Sequence, residues 1–207
     1  MDTSDNIEET KDLDSDFSQT MVDENQDNFL YEAEENKEKP SSKNNYKVLA
    51  RKYRPQNFED LMGQEIMVQT LKNAFKTNRI AHAYILTGVR GIGKTTTARL
   101  LARSLNYETE IINEPNIDML EFGKHCREIM ESRHIDVIEM DAASRTGIAD
   151  IREIIDSVNY SPSSARYKIY IIDEVHMLSK AAFNGLLKTL EEPPPHVKFI
   201  FATTEVQ

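Results

Sequence analysis

The chain has 207 residues, enough for one globular domain with a sizeable core, and a formal net charge of −10 at pH 7. Its one cysteine, Cys126, excludes an intramolecular disulfide framework and is typical of a reducing compartment. No apolar run is long enough to span a membrane, and the N-terminus lacks the basic and apolar regions of a signal peptide. We therefore expect a cytoplasmic protein without a membrane partner.

The acidity is confined to the N-terminal segment. Residues 1–45 hold 14 Asp and Glu against 4 Lys and Arg, whereas the remainder holds 21 of each sign. Apolar residues are scattered singly in this segment, so their burial cannot offset the entropy lost on ordering it. The composition predicts a disordered acidic tail over residues 1–45 and a folded domain over residues 46–207. The tail is either a solvated appendage or a partner-binding segment anchored by Phe29-Leu30-Tyr31.

From residue 46 onward, hydrophobic patterns alternate between helix and strand. Apolar residues at helical spacing predict helices, and short apolar or alternating runs predict strands. This alternation implies right-handed crossovers and a parallel sheet covered by helices on both faces, which is an α/β fold. In chain order we predict a helix ending near Lys76, a strand at 83–86, helices at 95–105 and about 125–132, a strand at 135–141, a helix at 148–158, a strand at 168–174, a helix at 179–190 and a strand at 197–202.

The most specific motif lies between the first predicted strand and the helix that follows it. Backbone N–H groups of a glycine-rich loop, with a helix N-terminus behind them, bind the phosphates of ATP. Lys94 is placed to reach the β- and γ-phosphates, Thr95 is placed to ligate Mg²⁺, and Thr96 belongs to the predicted nucleotide-binding set. The pattern G-x-x-x-x-G-K-[ST] of a Walker A P-loop is matched by Gly88, Val89, Arg90, Gly91, Ile92, Gly93, Lys94 and Thr95.

Two adjacent carboxylates end an apolar run that is typical of a buried parallel strand. Asp173 occupies the position of a Walker B acid, which holds Mg²⁺ directly or through its waters. Glu174 is suited to orient or deprotonate the water that attacks the γ-phosphate, so the pair predicts ATP hydrolysis. Nearby residues leave alternatives open. Thr203 or Thr204 either senses the γ-phosphate or belongs to a helix cap or turn, and His176 is either catalytic or packed in the core.

Six segments together resemble the tau/gamma family of bacterial DNA polymerase III, the AAA+ ATPases of the sliding-clamp loader. The resemblance implies an AAA+ P-loop fold and ATP-driven loading of sliding clamps onto primed DNA during replication. The implied partners are the other subunits of a clamp-loader pentamer, the sliding clamp, primer–template DNA and the polymerase III core; no polymerase active site is expected in this chain. The resemblance covers residues 46–207 and is carried by residues 46–55, 63–65, 88–95, 141–146, 173–178 and 186–194.

The resemblance also implies roles for individual residues. Arg54 and Pro55 would lie near the adenine. Arg145 and Arg152 would face DNA phosphates, in contacts that carry no sequence information, although a surface arginine is equally often only solvated. The implied catalytic residues are Lys94, Glu174 and Thr204.

The segment between the P-loop helix and the next strand departs from the family, which usually carries a four-cysteine zinc module there. Only Cys126 is present, while Tyr107, Leu120 and Gly123 occupy the other three ligand positions. One thiolate cannot complete a structural zinc site, so we predict no zinc. We expect this insert either to be loose or to be held by the packing of four apolar residues: Ile111, Ile117, Leu120 and Phe122.

The second departure is at the end of the sequence, which stops before the family's arginine-finger segment, fifth strand, helical lid and oligomerisation collar. The fifth strand would flank residues 83–86, so we expect this strand to be an exposed apolar edge prone to pairing or aggregation. Without the finger, a neighbouring subunit could not complete the charge clamp around the transition state. Two other functions stay open: a remnant that binds nucleotide or a partner without hydrolysis, and another AAA+ motor such as a branch-migration helicase.

Overall fold

The computed structural model describes Leu49, residues 53–145 and residues 147–205. The predicted acidic tail lies outside the described residues, as does Thr146, so the disorder of residues 1–45 stays a prediction. Among the described residues, no helix combines the length and the apolar character needed to cross a bilayer.

The described part of the chain contains four strands and five α-helices, all of which the hydrophobic patterns predict. Observed and predicted ends differ by one or two residues. Two single-turn 3₁₀ helices, Phe58–Asp60 and Val175–Met177, are additional. The strands are β1 (Ala83–Thr87), β2 (Val137–Asp141), β3 (Lys168–Asp173) and β4 (Val197–Thr203), and the helices are α1 (Glu65–Lys76), α2 (Lys94–Leu105), α3 (Cys126–Met130), α4 (Ile148–Val158) and α5 (Lys180–Glu191).

The four strands form one parallel sheet in the order β1-β4-β3-β2. Strand β4 lies inside the sheet and buries all seven of its residues, which explains its nearly continuous apolar sequence. Thr87 pairs with Thr203 and Asp141 with Asp173, so the carboxyl ends of all four strands lie at one edge of the sheet. Ligands bind at this edge in open parallel sheets. The predicted α/β architecture, a parallel sheet with helices on both faces, is confirmed.

The core consists of two layers because successive strand residues point to opposite faces of the sheet. Ile169 and Ile171 face the layer that contains α1, α2 and the insert. Tyr170 faces the other layer, with α4 and α5, where Phe199 stacks against Tyr170 at 5.4 Å and against Phe201 at 5.9 Å between ring centroids. Each such fully buried side chain stabilises the fold by about 1.5–3 kcal/mol.

The C-terminus of α2 is tied to the start of β3. The Asn106 side chain donates to the carbonyl of Tyr167 at 2.9 Å and accepts from its N–H at 2.8 Å. The guanidinium of Arg166 donates to the carbonyl of Leu105 at 2.9 Å, which places a cation at the C-terminus of the helix. These bonds satisfy carbonyls that a helix end leaves unpaired, and the cation complements the helix dipole.

The packing predicted for the insert is wrong for three of its four residues. Ile117 is 5% exposed, but Ile111, Leu120 and Phe122 are 89%, 90% and 61% exposed. The insert is instead anchored by the buried ring of Tyr107, whose hydroxyl donates to the carbonyl of Glu121 at 3.1 Å.

A buried cation also holds the insert. The Arg103 guanidinium donates to Cys126 Sγ at 2.8 Å, to Asn57 Oδ1 at 3.3 Å and to the carbonyl of Gln56. A single α2 side chain therefore connects the segment before α1 with the insert. Because the charge is buried, these acceptors replace the water that the guanidinium loses.

The insert does not fit a zinc ion. Cys126 Sγ already accepts a hydrogen bond from Arg103. The backbone at Gly123, one of the family's ligand positions, leaves no space for a cysteine side chain, because a Cβ there would lie 2.6 Å from the carbonyl oxygen of Glu108 and 3.3 Å from the Cys126 sulfur. The ring of Tyr107 lies 3.2 Å from the same Cβ position. Within the described ranges, no three His, Cys, Asp or Glu side chains group closely enough to hold a metal ion.

Strand β1 lies at one edge of the described sheet and pairs with β4 alone among the described strands. Ile85 is 67% exposed, whereas Tyr84 and Leu86 are half-buried against the core. The exposed apolar surface expected at this edge therefore comes mainly from the Ile85 side chain.

Candidate functional site

The P-loop connects β1 to α2, and its backbone conformation requires glycine. Gly91 and Gly93 have φ angles of 86° and 98°, in the left-handed region that side chains disfavour. Gly93 is the residue immediately before α2, so the first N–H groups of that helix face the loop. Free N–H groups at a helix N-terminus and in a tight loop make an anion-binding site.

Lys94 lies across this loop. Its side chain is nearly buried, and its ammonium donates to the carbonyls of Gly88 at 3.0 Å and Val89 at 3.3 Å. The predicted phosphate-binding lysine therefore lies inside the loop rather than in solvent, while Val89, Arg90 and Gly91 are exposed at its surface.

The P-loop and the end of β3 meet directly. The Thr95 hydroxyl donates to Asp173 Oδ2 at 2.5 Å, although the two residues are 78 positions apart. The other carboxylate oxygen of Asp173 accepts from the N–H of Glu174 at 3.0 Å. A hydroxyl and a carboxylate are hard oxygen donors of the kind that Mg²⁺ prefers, so the residues fit this ion. Thr96, the next residue of α2, is half-buried.

Glu174 adopts a backbone conformation that is uncommon for a residue with a side chain. Its φ of 50° and ψ of 46° place it in the left-handed region, which recurs where function requires a particular orientation. Its Oε2 accepts from the Thr204 hydroxyl at 3.3 Å. The structure therefore brings together three of the residues predicted from the sequence: Asp173, Glu174 and Thr204.

His176 and Thr203 complete the group around Glu174. His176 Nδ1 lies 3.0 Å from Thr203 Oγ1 and 3.6 Å from Glu174 Oε2, and the imidazole is about one-fifth exposed. His176 is thus a largely buried, hydrogen-bonded residue beside Glu174, and its two alternatives, catalytic or packed in the core, both stay predictions. The Asp-Glu-Val-His motif singled out His176, but no sequence signal indicated its partner.

Arg54 and Pro55 are half-buried on the segment before α1. Arg54 lines a cavity of about 1110 Å³ together with Arg99, Glu139 and Asp141, and no P-loop residue lines this cavity. Within it, Arg99 donates to both carboxylate oxygens of Glu139, at 2.6 and 2.8 Å. Burial alone would raise the pKa of Glu139, but the hydrogen bonds and charge of Arg99 outweigh it and hold that pKa below its ordinary value. The expected adenine contacts of Arg54 and Pro55 stay a prediction.

The two predicted DNA-contacting arginines lie on the surface. Arg145 follows the carboxyl end of β2, where its N–H donates to the carbonyl of Asp141 at 3.0 Å, and Arg152 is exposed on α4. Both side chains are accessible to a ligand, and their role in DNA binding stays a prediction.

The matching family model and the most similar curated relatives all belong to DNA polymerase III. The model of the family described as "DNA polymerase III, delta subunit" matches residues 63–207. DNA polymerase III subunit tau of Escherichia coli is 54% identical over 162 residues, which are 78% of this chain and 25% of that protein. Subunit gamma of Buchnera aphidicola subsp. Acyrthosiphon pisum is also 54% identical over 162 residues, which are 44% of that protein. The chain thus spans less than half of the length of these relatives.

Solved structures give weaker matches. A DNA polymerase III gamma subunit-related protein of Thermotoga maritima is 24% identical with a TM-score of 0.42, covering 66% of this chain and 39% of that chain. The Thermotoga maritima RuvB Holliday junction branch migration motor is 20% identical with a TM-score of 0.46, covering 74% of this chain and 42% of that chain. Structural similarities at these scores are too weak to support an assignment. The sequence matches show that the chain belongs to the DNA polymerase III delta subunit family and is a relative of the tau and gamma subunits.

Proposed function

We propose that this chain is the Mg²⁺-dependent ATPase part of a clamp-loader subunit of DNA polymerase III. The observation that carries the proposal is the 2.5 Å contact between Thr95 and Asp173, with Glu174 at the next position. A phosphate-binding loop and a water-activating carboxylate are thereby held at one edge of the sheet, as γ-phosphate hydrolysis requires.

Each residue has a defined task in this proposal. The loop N–H groups from Gly88 to Gly93 bind phosphate oxygens, and Lys94 exchanges its two carbonyl acceptors for the β- and γ-phosphates. Thr95 and Asp173 hold Mg²⁺, which neutralises charge on the phosphates when bound. Glu174 orients or deprotonates the attacking water, and Thr204 holds the carboxylate through its hydroxyl. Arg54 and Pro55 contact the adenine.

The wider role follows from the relatives. We propose that the chain acts in DNA replication in the cytoplasm, where ATP hydrolysis drives the loading of sliding clamps onto primed DNA. Its proposed partners are the other clamp-loader subunits, the sliding clamp, primer–template DNA and the polymerase III core. Arg145 and Arg152 are the proposed contacts to DNA phosphates, because both are exposed cations. A branch-migration function is not supported, since the curated relatives are tau and gamma subunits.

ATP turnover by this chain, alone and with primed DNA, clamp and the remaining loader subunits, tests the proposal. We expect Glu174→Gln to lower turnover by about 10²–10⁴-fold with Mg²⁺-ATP binding retained, because a general base is lost. Lys94→Ala should weaken binding itself. Unchanged turnover in Glu174→Gln would contradict hydrolysis at this site. Binding without any turnover in the unsubstituted chain would indicate a nucleotide-binding remnant.

A further inference from the structure

We propose that His176 is a positioning residue for Glu174 and that it acts through Thr203 at the end of β4. The inference rests on the proposed ATP hydrolysis and adds a residue to which no role in it has been assigned. Glu174 is the first residue after β3, so its side chain needs support from outside that strand.

In the proposal, the Thr203 hydroxyl is the donor to His176. The N–H of Glu205 donates to Thr203 Oγ1 at 3.1 Å, so this oxygen already serves as an acceptor. The hydroxyl proton is then free to be donated to His176 Nδ1, 3.0 Å away. A neutral imidazole that accepts at Nδ1 carries its own proton on Nε2. With the hydroxyl as the donor, Thr203 sets both the orientation and the tautomer of the ring.

The anchored ring restrains the turn that carries Glu174. His176 is the middle residue of the 3₁₀ turn Val175–Met177, and the N–H of Met177 donates to the carbonyl of Glu174 at 2.8 Å. The left-handed conformation of Glu174 is unfavourable for a residue with a side chain and persists only when its surroundings enforce it. The hydrogen bond between His176 and Thr203 links the Val175–Met177 turn to the end of β4.

Two consecutive threonines therefore hold one carboxylate from two sides. Thr204 donates directly to Glu174 Oε2 at 3.3 Å, and Thr203 holds the imidazole whose Nδ1 lies 3.6 Å from the same oxygen. Nδ1 is too far from Oε2 for a hydrogen bond, so the ring restricts the movement of the carboxylate by van der Waals contact instead. Loss of the anchor should disorder the base without changing the phosphate site.

The experiment compares two amide substitutions that differ in where they place a polar atom. His176→Asn keeps a polar atom near the position of Nδ1, whereas His176→Gln places it near Nε2. We expect His176→Gln to lower kcat about tenfold, the equivalent of one hydrogen bond, with the Kd for Mg²⁺-ATP unchanged. His176→Asn should recover most of the loss. Thr203→Val should reproduce the loss and Thr203→Ser should not, which tests the same link if the His176 variants fold poorly.

A double substitution tests whether His176 acts through Glu174. In a Glu174→Gln background, His176→Gln should cause no further loss of kcat, because the group that it positions is already absent. An additional tenfold loss would overturn the proposal. Equal kcat in His176→Gln and the unsubstituted chain, while Glu174→Gln still abolishes turnover, would overturn the role of His176 alone.

A measurement without turnover checks the contact itself. The ¹⁵N chemical shift of His176 Nδ1 reports whether that nitrogen accepts a hydrogen bond. It should move in Thr203→Val and stay in place in Thr204→Val. An unmoved shift in Thr203→Val would overturn the proposed anchor, whereas the absence of turnover in the unsubstituted chain together with a moved shift would overturn the proposed function.

Discussion

At the residue level, Asp136 accepts more hydrogen bonds than any other carboxylate in the described part of the chain, and it lies away from the nucleotide site. Asp136, just before β2, is buried and accepts from the N–H groups of Ser163, Ser164 and Ala165 at 2.7, 2.7 and 2.9 Å. Burial alone would raise the pKa of Asp136, but these donors outweigh it and hold the pKa below the ordinary value of 3.8. The charged carboxylate therefore joins β2 to the segment before β3.

Asp136→Asn should lower the free energy of unfolding by about 2–3 kcal/mol at neutral pH, because an amide presents one acceptor and one unsuited donor to the three N–H groups. A depressed pKa stabilises the fold above 3.8 and loses this effect as the pH falls through the folded value. Urea unfolding at pH 7 and at about pH 3 should thus show a difference that shrinks in acid.

The exposed residue Asp156 supplies the control for this measurement. Asp156→Asn should change the stability by no more than about 0.5 kcal/mol at either pH. Equal effects of the two substitutions at neutral pH would show that the buried hydrogen bonds of Asp136 contribute nothing measurable.

Two glycines give a matched pair with opposite outcomes. Gly123→Ala places a Cβ 2.6 Å from a backbone oxygen and should destabilise the domain by about 1–3 kcal/mol. Gly185 lies within α5, and a Cβ there meets Ile155 Cδ1 at an ordinary 3.6 Å. Gly185→Ala should therefore stabilise the domain by about 0.5–1 kcal/mol, since glycine loses more backbone entropy in a helix. Thermal unfolding of both variants measures these changes in stability. A stabilising effect of Gly123→Ala would contradict the packing described for the insert.

Among the secondary-structure elements, β1 lies at an edge of the described sheet and exposes Ile85, so we predict that this edge pairs with another chain. Ile85→Lys should reduce concentration-dependent self-association, because an edge charge is unfavourable to bury in a strand-to-strand contact. Light scattering over a range of protein concentrations measures the effect. Ile111→Lys is the control, since Ile111 is even more exposed than Ile85, at 89% against 67%, but lies on the insert rather than on a strand. Equal effects of the two substitutions would point to general surface hydrophobicity instead of strand pairing.

The burial of side chains was predicted correctly where apolar residues form a continuous run or recur at helical spacing, and wrongly where they follow no such pattern. The apolar runs of β3 and β4 and the helical stripe of α4 specify which side chains are buried. The insert has no period, so hydrophobicity alone wrongly predicted burial for Leu120 and Phe122. One of the two groups that hold the insert, the guanidinium of Arg103, belongs to a charged residue type that is mostly exposed in proteins.

At the scale of the whole molecule, the candidate site was predictable to the extent that motifs specify chemistry at fixed spacing. The P-loop pattern and the acidic pair identified Thr95 and Asp173 because parallel strands bring their carboxyl ends to one edge. The link between His176 and Thr203 was not predictable, because it depends on the left-handed turn at Glu174. Contacts that arise from a single unusual backbone angle leave no periodic trace in a sequence.

Helix α2 and strand β3 are pinned to each other at both ends, by Thr95 with Asp173 at one end and by Asn106 and Arg166 at the other. Twelve helical residues span about 18 Å and six strand residues about 20 Å, so the two members have nearly equal lengths. Because they are joined at both ends, α2 cannot slide along β3 without breaking the contacts at one end. Since Mg²⁺ requires near-ideal octahedral geometry, the contacts of Asn106 and Arg166 roughly 18 Å away help to keep its two proposed ligands aligned by opposing this sliding.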